Sequence, residues 1–145
     1  MHISKANQIT GELLSAMQKL IPQLTSNNPP PSEAQLADLL NSGSSTLLVV
    51  RWPDQTGPIA GILTLIVYPV PTGVRAIIED VVVDGEYRGK GIGEALTLEA
   101  LRLAREAGAN GVSLTSNPKR EAANRLYQRL GFKRRETNTY FYSFR

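Results

Sequence analysis

Residues 77–93 read IIEDVVVDGEYRGKGIG, and the rest of the chain can be placed around them. An apolar strand, Ala76 to Asp84, passes through a loop with three glycines, Gly89, Gly91 and Gly93, into a helical stretch, EALTLEALRLAREAG. A helix start offers backbone N–H groups without intrahelical partners, and the macrodipole adds partial positive charge there. Glycines let that backbone lie close against a ligand, while Arg88 and Lys90 add full charges. The combination predicts a site for a phosphate or a diphosphate. The alternative for the same residues is a surface turn followed by a core helix.

Two common phosphate loops can be excluded by counting. A P-loop requires G-x-x-x-x-G-K-[ST], but Gly91 follows Gly89-Lys90, and Asp84 holds the place of the first glycine. A dinucleotide fingerprint requires G-x-G-x-x-G, and Glu94 stands where its last glycine belongs. The pattern present is R-x-x-G-x-G, Arg88-Gly89-Lys90-Gly91-Ile92-Gly93, directly after a strand ending VVVD. Downstream lie a second strand, GVSLTSN (Gly111 to Asn117), and a second helix, EAANRLYQRLGF (Glu121 to Phe132). Loop, strand, asparagine and helical tyrosine in this order resemble the GCN5-related N-acetyltransferases (GNAT), over Ile77 through Phe132.

The resemblance implies the GNAT fold, a mixed α/β sheet, mostly antiparallel, with a splayed parallel strand pair and helices on both faces. It implies acetyl-CoA as donor, held by Arg88, Gly89, Lys90, Gly91, Ile92 and Gly93. It also implies that the backbone amides of Val81, Val82 and Val83 bind the pantetheine and polarise the acetyl carbonyl. Asn117 and Asn124 match the family's amide contacts to the donor. Asn117 serves equally well as a helix N-cap with Pro118 at N1. Lys119 and Arg120 either reach the phosphates or solvate a helix start. IEDVVV before RGKGIG resembles the small members that include glucosamine-6-phosphate N-acetyltransferases, whereas residues 115–140 resemble many uncharacterised bacterial members instead. Ile77 stands where such relatives often carry histidine, which leaves the acceptor open.

Acetyl transfer defines what else to seek. An amine with a lysine-like pKa is neutral in only about one molecule in 2,500 at pH 7, so a base or selective binding of the neutral form is needed. The thioester carbonyl gains negative charge and needs a donor, and an acid can protonate the departing thiolate. Tyr127 is the candidate acid. Ala123, Leu126, Tyr127 and Leu130 fall at i, i+3, i+4 and i+7, a stripe that turns Tyr127 inward, and the resemblance assigns that tyrosine to the CoA sulfur. A packed core tyrosine is the other reading. Glu79 is the candidate base. It interrupts an apolar strand beside Asp80, and partial burial would raise its pKa toward useful base strength. A structural carboxylate, or a water relay in place of the base, remains open.

At 145 residues the chain is expected to form one N-acetyltransferase domain, residues 1–145. It has no cysteine, which excludes disulfides, thiolate metal sites and a cysteine nucleophile, and no metal is expected. No apolar run is long enough to span a membrane, and MHISKANQITGELL lacks the core of a signal peptide. A cytoplasmic protein is expected. Net charge is +3, but residues 118–145 carry eight Lys/Arg against two acids, 8 − 2 = +6. That basic end would suit an anionic partner or simply a solvated surface, and no aromatic-basic RNA motif accompanies it.

Before the loop, a short strand is expected over His2 to Lys5 and a helix over Gln8 to Leu24, broken or kinked near Pro22. A linker at Ser26 to Pro31 and a capping box, Ser32 with Gln35, should precede a short helix through Leu40, stopped by Gly43. Thr46 to Trp52 and Ile59 to Val67 read as strands. Tyr68 to Gly73 reads as a turn into Val74 to Asp84. Phe132 to Arg135 and Thr139 to Phe144 are expected to close the sheet, and their apolar character predicts a homodimer. The leading expectation is an acetyl-CoA-dependent N-acetyltransferase acting on a primary amine of a small molecule or peptide. The alternative is a non-catalytic acyl-CoA sensor of the same fold.

Overall fold

The alternation and punctuation of the first half produce a meander of antiparallel strands with helices inserted between the first two. The computed structural model describes residues 1–145. It contains β1 (His2–Lys5), α1 (Gly11–Leu24), α2 (Glu33–Asn41), β2 (Ser45–Arg51), β3 (Ile59–Val70) and β4 (Gly73–Val83). A 3-10 turn (Gly85–Tyr87) follows, then α3 (Ile92–Glu106), β5 (Val112–Ser113) and α4 (Glu121–Arg129). The five strands form one sheet in the order β1-β2-β3-β4-β5. All neighbours are antiparallel except β4 and β5, which run parallel. The chain falls into two compact units, Met1–Leu114 and Thr115–Arg145.

Helices cover both faces of the sheet. Leu13, Met17 and Leu20 of α1 and Leu36 of α2 share an apolar cluster with Leu47, Val49, Ile62 and Val82. Their strand neighbours Leu48, Val50 and Leu63 are equally buried and, by alternation, point to the opposite face. There α3, which packs on β2, β3 and β4, buries Ile92, Leu96, Ala100 and Ala104. Burying a leucine-sized side chain is worth about 1.5–3 kcal/mol, so this two-sided core is what holds β4 in place.

Local capping follows the sequence. Thr10 accepts from the Leu13 amide at 3.1 Å. Ser32 and Gln35 exchange both capping-box bonds, at 3.1 and 2.9 Å. Helix α1 runs through Pro22 and ends at Leu24, and α2 ends at Asn41 with Ser42, not Gly43, at its cap.

Several boundaries differ from the sequence expectation. Tyr68, Pro69 and Val70 are strand, paired with Arg75, Val74 and Gly73, and the turn shrinks to Pro71–Thr72. Proline's fixed φ is compatible with an edge of extended backbone, and Gly73 at φ +135° supplies the reversal. Strand β5 is only Val112–Ser113, because pairing with β4 ends at Ile77↔Ser113. Helix α4 stops at Arg129 with Gly131 at φ +101°, short of Phe132.

The expected closing strands are absent. Residues 132–145 carry no regular structure. Alternation gives a stretch two faces but not a ladder partner, and Tyr140, Phe141, Tyr142 and Phe144 remain 82–96% exposed. The expected homodimer loses those strands as its basis.

Candidate active site

The first unit holds the C-terminal end of β4 and the loop that leaves it. Past Ile77 no strand pairs with the outer edge of β4, and the ladder partners of Ile78, Glu79, Val82 and Val83 all lie on β3. Val82 is buried, and Val81 and Val83 are half-buried. A register shift between Ile62 and Thr64 puts Asp80 and Val81 opposite a single residue, Leu63. This is a bulge, and Asp80 adopts φ +50°, rare for a residue with a side chain. The regular strand alternation between Glu79 and Asp80 is therefore interrupted. Because Thr64 pairs with both Leu47 and Glu79, the glutamate lies on the same sheet face as Leu47, the face covered by α1 and α2. Glu79 itself is exposed, and the limited withdrawal of its carboxyl from water, then the charge of Asp80, raises its pKa above the ordinary carboxylate value.

The loop begins at Asp84, whose carboxylate accepts from the Glu86 amide at 3.1 Å and starts the 3-10 turn. Arg88 Nε reaches back to the Val83 carbonyl at 3.4 Å. Gly89 and Gly91 adopt φ +78° and +77°, and a Cβ added at either would meet no atom within 4 Å. Gly91 is the N-cap of α3 and provides no side-chain hydrogen bond to the helix start. Open space, left-handed glycines and a helix start without a side-chain cap are features that favour an anion in general. Lys90 stands over the ring of Trp52, 5.4 Å from its centroid, a cation–π contact that sequence reasoning did not foresee. Ile92 is fully buried and anchors the first turn, and Thr97 Oγ1 donates to the Gly93 carbonyl at 2.7 Å.

The second unit holds Tyr127, Asn117 and Asn124. Tyr127 is 7% exposed, and Phe132 meets its ring edge-on at 5.7 Å between centroids. Burial raises its pKa, with Arg120 pulling the other way, so the phenol keeps its proton at neutral pH. Asn117 does not cap α4: Arg120 occupies that position. Instead Asn117 Oδ1 accepts from the Lys119 amide at 2.9 Å, and its carbonyl accepts from Asn124 Nδ2 at 3.0 Å. The turn at Pro118–Lys119 displaces the helix start, which is why the cap pattern misled. The two asparagines are thus brought together. Beside them Ser116 Oγ is buried without a hydrogen-bond partner, a residue the sequence did not single out.

No group of three or more His, Asp or Glu side chains is arranged to hold a metal ion. No helix is long and apolar enough to cross a membrane.

The sequence and the fold both have relatives among known proteins. The acetyltransferase (GNAT) family profile matches residues 13–132. A glucosamine 6-phosphate N-acetyltransferase of Trypanosoma brucei brucei is 37% identical over 130 residues, covering 85% of this chain and 84% of that protein. The crystal structure of a Trypanosoma brucei acetyltransferase superposes with a TM-score of 0.76 at 30% identity, over 98% of this chain and all of the other. A putative acetyltransferase from Agrobacterium tumefaciens shares the fold, with a TM-score of 0.83 at 23% identity over 99% of this chain and 100% of that one.

Proposed function

The chain belongs to the acetyltransferase (GNAT) family and is an acyltransferase of the N-acetyltransferase class, and from that premise we propose that it transfers an acetyl group from acetyl-CoA directly to a primary amine. The observation that carries this reading is the uncapped start of α3 behind two left-handed glycines with open space above them. Acetyl-CoA is the donor used by the family, and it supplies an activated thioester. The diphosphate lies on the amides at the start of α3, with Arg88 and Lys90 adding charge and Gly89, Gly91, Ile92 and Gly93 forming the cradle. The outer edge of β4 at Val81, Val82 and Val83 receives the pantetheine and the acetyl oxygen. Asn117 and Asn124 match the family's amide contacts to the donor, and the unmet hydrogen bond of Ser116 Oγ supports a polar ligand beside them.

Glu79 takes the proton of the attacking amine, directly or through water, and its raised pKa suits it to that task. The amine nitrogen bonds to the carbonyl carbon, the C–S bond breaks, and the sulfur leaves with a proton from Tyr127. A phenol that burial keeps protonated is suited to giving that proton. The family match crosses the boundary between the two compact units, which supports reading residues 1–145 as one domain. Similarity to a glucosamine 6-phosphate N-acetyltransferase puts amino sugars and their phosphates first among acceptors to assay.

Release of free CoA thiol, followed with glucosamine 6-phosphate, other amino sugars, polyamines, amino acids and short peptides, tests the proposal. Turnover with at least one amine is expected, and Tyr127→Phe should lower kcat more than it weakens acetyl-CoA binding. Acetyl-CoA binding without transfer to any amine would instead identify an acyl-CoA sensor. Absence of binding would remove both.

A further inference from the structure

Two side chains of α1 close on the chain where it leaves β4. Asp84 is 2% exposed, and each of its polar groups is engaged. Its N–H donates to the Ala60 carbonyl at 2.8 Å, and its own carbonyl accepts from the Tyr87 amide at 2.9 Å. Its carboxylate accepts from the Glu86 amide at 3.1 Å and from Gln23 Nε2 at 3.4 Å, and pairs with Lys19 Nζ at 2.9 Å. The next residue is held as well, since the Gly85 amide donates to Gln23 Oε1 at 2.9 Å. Lys19 also reaches Glu86, at 3.4 Å. Lys19 and Gln23 are one helical turn apart on the same face. Gln23 Nε2 further donates to the Lys19 carbonyl at 3.2 Å, which orients its amide.

Two consequences follow for the segment that runs on into Arg88–Gly93. Its direction is set by a helix distant in sequence, not by the loop alone. Its two acids, Asp84 and Glu86, would repel an anion bound at the start of α3, and the Lys19 ammonium stands against both. We propose that Lys19 and Gln23 are positioning residues of the donor site: they fix the departure of the loop from β4, and Lys19 masks its acids. Donor affinity therefore depends on α1. This rests on the acetyl-CoA reading given above.

Calorimetric titration of acetyl-CoA into wild type, Lys19→Met, Lys19→Arg and Gln23→Leu tests it, at about 20 mM and about 300 mM salt, where the Debye lengths differ severalfold. Lys19→Met should bind roughly three- to tenfold more weakly at low salt, the size of one unmasked charge acting on a nearby dianion across partly solvated protein. The deficit should shrink at high salt, and Lys19→Arg should restore binding. Gln23→Leu, which changes no charge, should weaken binding about equally at both salts. A purely structural lysine would give a deficit that salt does not move and arginine does not rescue, and that result overturns the masking role. Lys19→Met binding as well as wild type at low salt overturns the inference alone, whereas wild type that fails to bind acetyl-CoA removes the reading beneath it. If Lys19→Met does not fold, Lys19→Gln, which keeps a hydrogen-bond donor without the charge, carries the same comparison.

Discussion

Replacing Gly91 by alanine isolates the property on which the proposed donor loop depends. A Cβ at position 91 would meet nothing within 4 Å, so sterics oppose it nowhere, but the backbone there lies at φ +77°. An L side chain in the left-handed region costs about 1–2 kcal/mol. For a chain of 145 residues the unfolding entropy is roughly 0.3 kcal/mol per kelvin, so Tm should fall by about 3–7 °C. Gly11 provides the control. Its added Cβ also meets nothing, but no positive φ opposes it. Gly11→Ala, at the first residue of α1, should raise stability by about 0.4–1 kcal/mol through the unfolded chain. The two substitutions add the same atom into open space and should move Tm in opposite directions. Thermal unfolding of both variants, without and with acetyl-CoA, is the assay. A ligand at about a hundred times its Kd adds about 2.7 kcal/mol, roughly 9 °C here. Gly91→Ala should lose much of that gain, because the new methyl fills space the donor would use, while Gly11→Ala should keep it. Equal ligand-induced shifts in both variants would falsify the assignment of this space to the donor.

Other outcomes test separate parts of the account. Burial by itself would raise the Asp84 pKa, but Lys19, the Glu86 amide and Gln23 more than offset it, and the carboxyl lies below its ordinary value of 3.8. A lowered carboxyl pKa contributes stability above the unfolded value and loses it as pH falls through the folded one. Asp84→Asn should therefore cost about 1–2 kcal/mol at neutral pH, the low end for a charged hydrogen-bonded group, since water screens Lys19. The difference should vanish in denaturant melts well below pH 3.8, and a pH-independent cost would contradict the charge-based account. The protein's one tryptophan, Trp52, lies 5.4 Å from the Lys90 ammonium. Saturating acetyl-CoA should change its fluorescence, and Lys90→Ala should shift the emission of the free protein and reduce that change. An unaltered spectrum in Lys90→Ala would refute the contact. The exposed aromatics Tyr140, Phe141, Tyr142 and Phe144 make self-association testable by sedimentation velocity. Association that is lost when Phe141 and Phe144 become serine supports a homodimer, and sedimentation as monomer throughout refutes it.

What could be read from the sequence was local. The glycine loop declared itself because strand, glycines and helix are adjacent, and each has its own signal: alternation, spacing, and apolar recurrence at helical period. Ser32 and Gln35 gave the α2 start for the same reason. Features set by partners distant in the chain were not legible. The Asp80 bulge depends on how β4 registers against β3, and EDVVV carries no glycine to announce it. Pro69 looked like a turn residue because its strand pairing with Val74 is decided across the hairpin. Thr139 to Phe144 had the alternation of a strand, yet alternation does not supply an edge to pair with. The hold of Lys19 and Gln23 on Asp84 and Gly85 joins residues more than sixty positions apart, and the contact of Trp52 with Lys90 is equally nonlocal. Of the proposed donor site, then, the glycine loop was legible in the sequence, and the contacts of Lys19, Gln23 and Trp52 were not.

The central claim is that the glycine-lined start of α3 grips the donor's diphosphate. The amide resonances of Gly89, Gly91 and Gly93 report on it directly in a nitrogen–proton correlation spectrum, titrated with acetyl-CoA. These glycines should shift together, saturably, and among the most strongly in the spectrum. Saturable binding that leaves all three unmoved would contradict it.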